Sequence, residues 1–158
     1  MNEFAPPTPT LSFVFEARVL IGTPLDLGMV GGARKRIVPI TGGRVNGERF
    51  SGDLLHGGAD WQMLRPDAVL DVSARYTVRA DDGSIISILN TGYRHGPSDV
   101  LDRVAAGEAV DPALYYFRTT PRFEATDDSP HAWLNQSVFV CSGARFADRV
   151  MLRFFLVG

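Results

Sequence analysis

The chain reads as an all-β protein, an antiparallel up-and-down β-barrel of about eight to ten strands with one short α-helix. Three observations predict this. Long runs alternate apolar and polar residues with a period of two, as in Leu11–Ile21 and 68–80. Turn chemistry separates neighbouring runs at short spacing, which favours hairpins over crossovers. Only one stretch, after Pro97, places apolar residues at helical spacing. A two-sheet sandwich fits the same pattern, but closure into a barrel leaves no open sheet edge.

Residues 1–10 hold three prolines and are expected to form a loose arm ahead of a single barrel domain over 11–158. The first strand, from Leu11, puts Phe13, Phe15, Ala17 and Val19 on one face and Ser12, Glu16 and Arg18 on the other. Gly22-Thr23-Pro24 breaks it, and a glycine-rich piece around Gly28 follows. Arg36 to Ile40 reads as strand, stopped by Thr41-Gly42-Gly43. Asn46-Gly47 has the composition of a type I′ hairpin turn, with a returning strand over 48–55. Gly57-Gly58-Ala59-Asp60-Trp61-Gln62 reads as a loop between strands. Residues 68–80 alternate again and turn at Asp81-Asp82-Gly83 into a partner over 84–95. The helix after Gly96-Pro97 has Ser98 as expected cap, an apolar stripe of Val100, Leu101, Val104 and Ala105, and Gly107 as its end. Strands then follow over 114–125, 132–142 and 149–157. Pro121 implies an edge, a bulge or a strand end. The last strand is apolar on both faces, which suits a covered sheet or a homodimer or larger homo-oligomer.

The formal charge of -2 gives no electrostatic footprint for nucleic acid or an anionic membrane. No apolar stretch approaches the roughly 18 residues of a membrane helix, and the N-terminus lacks a basic region followed by an apolar run, so a cytoplasmic protein is expected. Cys141, the single cysteine, lies in an apolar run and reads as a buried, inert thiol. His56, His95 and His131 have no ligand spacing, and the Gly28 region does not fit a dinucleotide fingerprint. No metal and no cofactor is expected.

Asp60 is the leading acid or base, because a carboxylate beside a large aromatic in a part-closed cavity has its neutral form favoured. The plainer alternative is a turn carboxylate accepting backbone N–H bonds. On the run from Tyr115 to Glu124, alternation puts Tyr116, Arg118, Thr120, Arg122 and Glu124 on one face and Phe117, Thr119 and Phe123 on the other. The first face offers a phenol and a guanidinium spaced to hold an oxyanion, or else it is a solvated exterior. Trp61, Gln62 and Trp133 are candidate cavity walls, Asn135 a candidate ligand-orienting amide, and Tyr76 a candidate lumen hydroxyl.

Arg36 to Gly43, Gly57 to Gln62, Ala74-Arg75-Tyr76, Tyr116 to Glu124 and Trp133-Leu134-Asn135, in this order, resemble the DUF3237 family, also called UPF0311. The resemblance implies a β-barrel with a central cavity and assigns no activity. The functional expectation is a small-molecule-binding barrel. It would act as a cofactor-free acid–base enzyme of the lyase, isomerase or cyclase type, for instance in Michael-type addition or elimination, on an apolar or aromatic carbonyl compound. Asp60 would move the proton, with Arg118 and Tyr116 on the oxyanion. A non-catalytic carrier barrel is the alternative. The catalytic version requires Asp60 and Arg118 to converge on one pocket.

Overall fold

The computed structural model describes residues 4–158, so residues 1–3 of the expected arm lie outside the described residues. Ten strands form: β1 (Leu11–Ile21), β2 (Leu25–Val30), β3 (Ala33–Gly47), β4 (Gly52–Leu54), β5 (Gly58–Leu64), β6 (Leu70–Ala80), β7 (Ile85–His95), β8 (Tyr116–Glu124), β9 (Val138–Arg145) and β10 (Arg149–Val157). Among the described residues there is one α-helix, α1 (Ser98–Ala105), between β7 and β8. The expected antiparallel up-and-down barrel is therefore the observed fold, closed over eight positions. Each wall strand pairs with its sequence neighbour, and the ring closes where β1 pairs both β10 and β3. The β4 and β5 strands share one position: β4 pairs Gly43–Val45 of β3, β5 pairs Arg34–Ile40, and both pair β6 on the other side. The β2 strand pairs only with β3 and extends from the wall as a hairpin.

Several boundaries differ from the sequence reading, each for a physical reason. The β3 strand runs straight through Gly42-Gly43. These glycines mark a close approach to β1, since a Cβ on Gly43 would meet the Arg18 carbonyl oxygen at 2.0 Å. Asn46-Gly47 is not the hairpin turn. Both residues remain in β3, paired with Glu16 and Phe15, and the chain reverses after them. The Asp60 stretch is strand rather than loop, with only Gly57 in a turn conformation at φ 103°. The glycine-rich piece forms the β2–β3 hairpin, turning at Gly31 and Gly32 with φ of 59° and 85°. Helix α1 has Pro97 at its N-cap position and no side-chain cap, so Ser98 does not cap it. Residues 112–114 and 132–136 are short 3₁₀ turns preceding β8 and β9.

Inside the barrel the side chains fall into two zones. At one end Phe15 packs against the rings of Phe50 at 5.2 Å, Phe154 at 4.6 Å and Phe123 at 5.7 Å, and Phe139 fills the same plug. At the other end Val100 and Val104 of α1 cover a cluster with Leu70, Val72, Tyr115 and Phe117. An eight-stranded barrel is just wide enough for its interior side chains or one small ligand. Here aromatics fill one half, and the cavity lies in the half toward α1. Cys141 is buried and its thiol is pushed up to about 12, chiefly by burial. The β8–β9 ladder spans only Arg118–Ser142 and Thr119–Cys141, so Pro121 lies beyond it on the β9 side, while on the β7 side it is in register with Asn90.

Candidate functional site

Alternation along the wall decides which residues face inward. On β3 they include Arg36, Val38 and Ile40; on β5, Asp60 and Gln62; on β6, Val72, Ala74 and Tyr76. On β7 they are Asn90 and Arg94, on β8 Phe117 and Thr119, and on β9 Arg145. The cavity these strands enclose has about 50 Å³ open to the centres of water molecules, and its wall is mostly apolar.

Asp60 is partly buried and anchored on both oxygens. Gln62 Nε2 donates to its Oδ2 at 2.8 Å, and the Ser73 amide donates to its Oδ1 at 2.9 Å. Gln62 is itself held by the Arg36 Nε–H, which donates to Gln62 Oε1. Burial raises the Asp60 carboxyl above the ordinary carboxylate range, while Gln62, the Ser73 amide, Arg94 and Arg36 pull it back. Each carboxylate oxygen keeps a second lone pair, so the two bonds orient Asp60 without exhausting it as a proton acceptor.

Arg94 is buried, and burial followed by repulsion from Arg36 and Arg145 brings its guanidinium down to about 10. Arg145 is lowered for the same reasons, burial first and then Arg36. Three guanidiniums therefore crowd around one carboxylate in a low-dielectric space.

Among the described residues, six buried side-chain polar atoms lack a hydrogen-bond partner. Four of them line this cavity: Tyr76 Oη, Asn90 Oδ1, Thr119 Oγ1 and Arg145 Nη1; Asn90 lies near enough to the Tyr76 phenol, and Thr119 to the Cys141 thiol, to favour their ionised forms, but neither pair has full hydrogen-bond geometry. The other two are the ring nitrogens of His131, whose Nε2 lies 3.3 Å from Asp82 without hydrogen-bond geometry. Burial raises the Tyr76 phenol far above its ordinary value, so it stays protonated as a donor. Buried polar groups are nearly always paired, and a cluster of exceptions around one space is the pattern of a site made for a polar guest.

The sequence-derived candidates divide at the barrel wall. Asp60, Gln62 and Tyr76 come together in the lumen. Tyr116, Arg118 and Thr120 lie on the exposed face of β8, whose buried residues are Phe117, Thr119, Pro121 and Phe123. Arg118 there donates to the Phe117 carbonyl and lies over the Tyr116 ring, and Tyr116 stacks on His95 at 4.7 Å. The required convergence of Asp60 and Arg118 is not met. Trp61 is 49% exposed on the outer wall. Trp133 packs on Phe139 under the Arg49 guanidinium, outside the cavity lining. Asn135 is exposed and spends its amide on the backbone of Ala125, at 2.8 and 2.7 Å. The sequence reading missed Asn90, Arg94, Thr119 and Arg145. Their signal was present, because each continues an otherwise apolar inward face: Ile86, Ile88, Asn90, Arg94 on β7 and Phe139, Cys141, Gly143, Arg145 on β9.

Comparison with known proteins agrees with this architecture. A UPF0311 protein of Rhodopseudomonas palustris is 44% identical over 147 residues, covering 92% of this chain and 95% of the relative. The crystal structure of a protein of unknown function from the same species superposes with a TM-score of 0.92 at 41% identity, covering 97% of this chain and all of that one. A structure described as an enzyme from Penicillium herquei superposes with a TM-score of 0.74 at 17% identity, covering 98% of each chain, a likeness of fold alone. The family model for DUF3237, proteins of unknown function, matches residues 9–157, and this chain belongs to that family.

Proposed function

We propose that the protein binds a small carbonyl compound in the barrel lumen and acts on it by cofactor-free acid–base catalysis, with Asp60 as the proton-transferring group. The observation that carries this reading is the convergence of four unpartnered buried polar atoms, on Tyr76, Asn90, Thr119 and Arg145, around the cavity that holds Asp60. The oxyanion role expected of Arg118 and Tyr116 passes to Arg94, Arg145 and Tyr76, which face the interior.

The chemistry follows from the geometry. A substrate carbonyl oxygen directed at the guanidiniums and the Tyr76 hydroxyl gains donors that strengthen as negative charge develops. Asp60, raised in pKa yet still oriented by Gln62 and Ser73, removes a proton from the carbon next to that carbonyl. In an isomerisation the enolate takes that proton back at another carbon; in an elimination it expels a group from the β-carbon, and the departing oxygen takes the proton. Ring closure by conjugate addition is the reverse: Asp60 takes the proton of a substrate hydroxyl as its oxygen bonds to the β-carbon, and returns it to the α-carbon. General acid–base help and one preorganised oxyanion donor each contribute a factor of about 10²–10³, enough for an activated carbon acid.

The experiment compares Asp60→Asn with wild type on a panel of enones and lactones. The reading predicts that turnover falls by about 10² or more while ligand affinity stays within a few-fold. Tight binding by wild type with no turnover of any panel member would make the protein a carrier.

A further inference from the structure

The cavity beside Asp60 is too small for an apolar carbonyl compound of ordinary size. Arg94, which lines it, also borders a second space. With Leu70 it lines a groove of about 480 Å³ at the barrel mouth, against about 50 Å³ for the inner cavity. The groove lies between α1, which contributes Leu101 and Ala105, and the barrel rim, which contributes Leu64 and Ala68. Its wall is largely apolar, and its volume falls in the usual range of roughly 300–1,000 Å³ for small-molecule sites. Arg36 lines the groove while its Nε–H holds Gln62 beside Asp60, so Arg94 borders both spaces and Arg36 links the groove to the inner site through Gln62.

The charge balance around this joint space is unusual. Four guanidiniums line the two compartments, those of Arg34, Arg36, Arg94 and Arg145, against the carboxylates of Asp26, Asp60 and Asp102. Asp26 is committed to Arg34 in an ion pair on the β2–β3 hairpin, and Asp102 is exposed on α1. Asp60 is bonded to Gln62 and the Ser73 amide. Arg94 is only 9% exposed, and its guanidinium makes no hydrogen bond to a protein acceptor among the described residues; Tyr115 and Asp60 act on it through space, and the Phe117 ring lies 5.7 Å from its guanidinium carbon. Asp60 is shared with Arg36 and already bonded to Gln62 and Ser73, so a buried guanidinium without a hydrogen-bonded anion of its own is costly unless a ligand anion meets it.

We infer that the mouth groove is the second compartment of the ligand site and that the ligand is an anionic amphiphile. Its acidic group, a carboxylate, enolate or similar oxyanion, is held at Arg94, and its apolar body lies along α1 in the groove. This rests on the lumen site proposed above and adds the class of molecule that fills it. It also gives α1 a role in specificity, as the wall that measures the apolar body.

The test uses two unreactive fluorescent probes, 8-anilinonaphthalene-1-sulfonate, which is anionic, and N-phenyl-1-naphthylamine, its neutral relative. Both are titrated into wild type, Arg94→Met and Ala105→Trp, with near-UV circular dichroism confirming the fold. Arg94→Met is expected to weaken the sulfonate by about tenfold or more, the scale of a lost charge-assisted contact, and to leave the neutral probe within about twofold. Ala105→Trp, a change at an exposed helix position, fills the groove and is expected to weaken both probes by about fivefold or more. Equal effects of Arg94→Met on both probes, or none, would overturn the anion assignment. Unchanged binding by Ala105→Trp, or no sulfonate binding to wild type, would overturn the groove. Neither probe reacts, so loss of turnover in Asp60→Asn bears only on the catalytic reading. A substrate turned over by wild type and Ala105→Trp with the same KM would sink this inference while leaving that reading intact.

Discussion

Gln62 Nε2 donates to Asp60 Oδ2 across 2.8 Å, and the two residues, two positions apart on β5, face the lumen together. The bond favours the ionised carboxylate, whereas burial favours the neutral acid. Gln62 thereby restrains a carboxyl group that burial alone would raise further. Replacing Gln62 with Leu should move the Asp60 titration upward from its wild-type position. Carbon-detected NMR of the Asp60 carboxyl through a pH series reads this directly. A downward move would mean that Gln62 does not stabilise the carboxylate.

Asp60 should also leave its mark on stability. Its folded-state pKa is raised, so the folded protein holds that proton more tightly than the unfolded chain does. The associated stability is present below the ordinary carboxylate pKa and is lost as pH rises through the raised value. Asp60→Asn carries no charge and escapes that loss. The Tm of Asp60→Asn relative to wild type should therefore climb from acid toward neutral pH. A flat or falling difference contradicts the burial of the charge.

The close approach of β3 to β1 predicts an asymmetry between two glycines. Gly43 has φ 137°, and a Cβ there would meet the Arg18 carbonyl oxygen at 2.0 Å. Gly43→Ala should cost roughly 1–3 kcal/mol or more, a Tm loss of several degrees for a chain of this size. At Gly22 the nearest atom to an added Cβ is the Thr41 methyl at 3.4 Å, an ordinary contact. Gly22→Ala should stay within about 0.5 kcal/mol of wild type, as measured by urea unfolding.

Asn135 is placed to hold a loop rather than a ligand, since it bonds both the N–H and the carbonyl of Ala125. Asn135→Ala is expected to lower stability by about 1 kcal/mol and to leave binding of either naphthalene probe unchanged. Weakened probe binding at full stability would return Asn135 to the ligand site.

The sequence made the strands legible because half-buried strands must alternate, and β1, β6, β7 and β10 lie close to where alternation put them. Glycine was the misleading signal. Gly43 and Gly47 permit close packing of β1 on β3 but carry the same letter as a turn glycine, and the difference lies in a distant partner strand. The candidate site was half legible for a related reason. Alternation correctly separates Arg118 from Phe117 and Thr119, yet in sequence the polar face looks like the chemical one, although a barrel buries its apolar face. Asp60 and Gln62 were found because they sit beside an unusual glycine pair. Arg94 and Arg145 each end an apolar face, and only closure of the barrel brings those ends together.

The anion-binding guanidinium we infer lies inside the barrel at Arg94 and not on the outer face at Arg118. The most direct measurement is a side-by-side titration of 8-anilinonaphthalene-1-sulfonate into Arg94→Met and Arg118→Met. Affinity is expected to fall by about tenfold or more in Arg94→Met and to be indistinguishable from wild type in Arg118→Met. Lost affinity in Arg118→Met with Arg94→Met unaffected would contradict it.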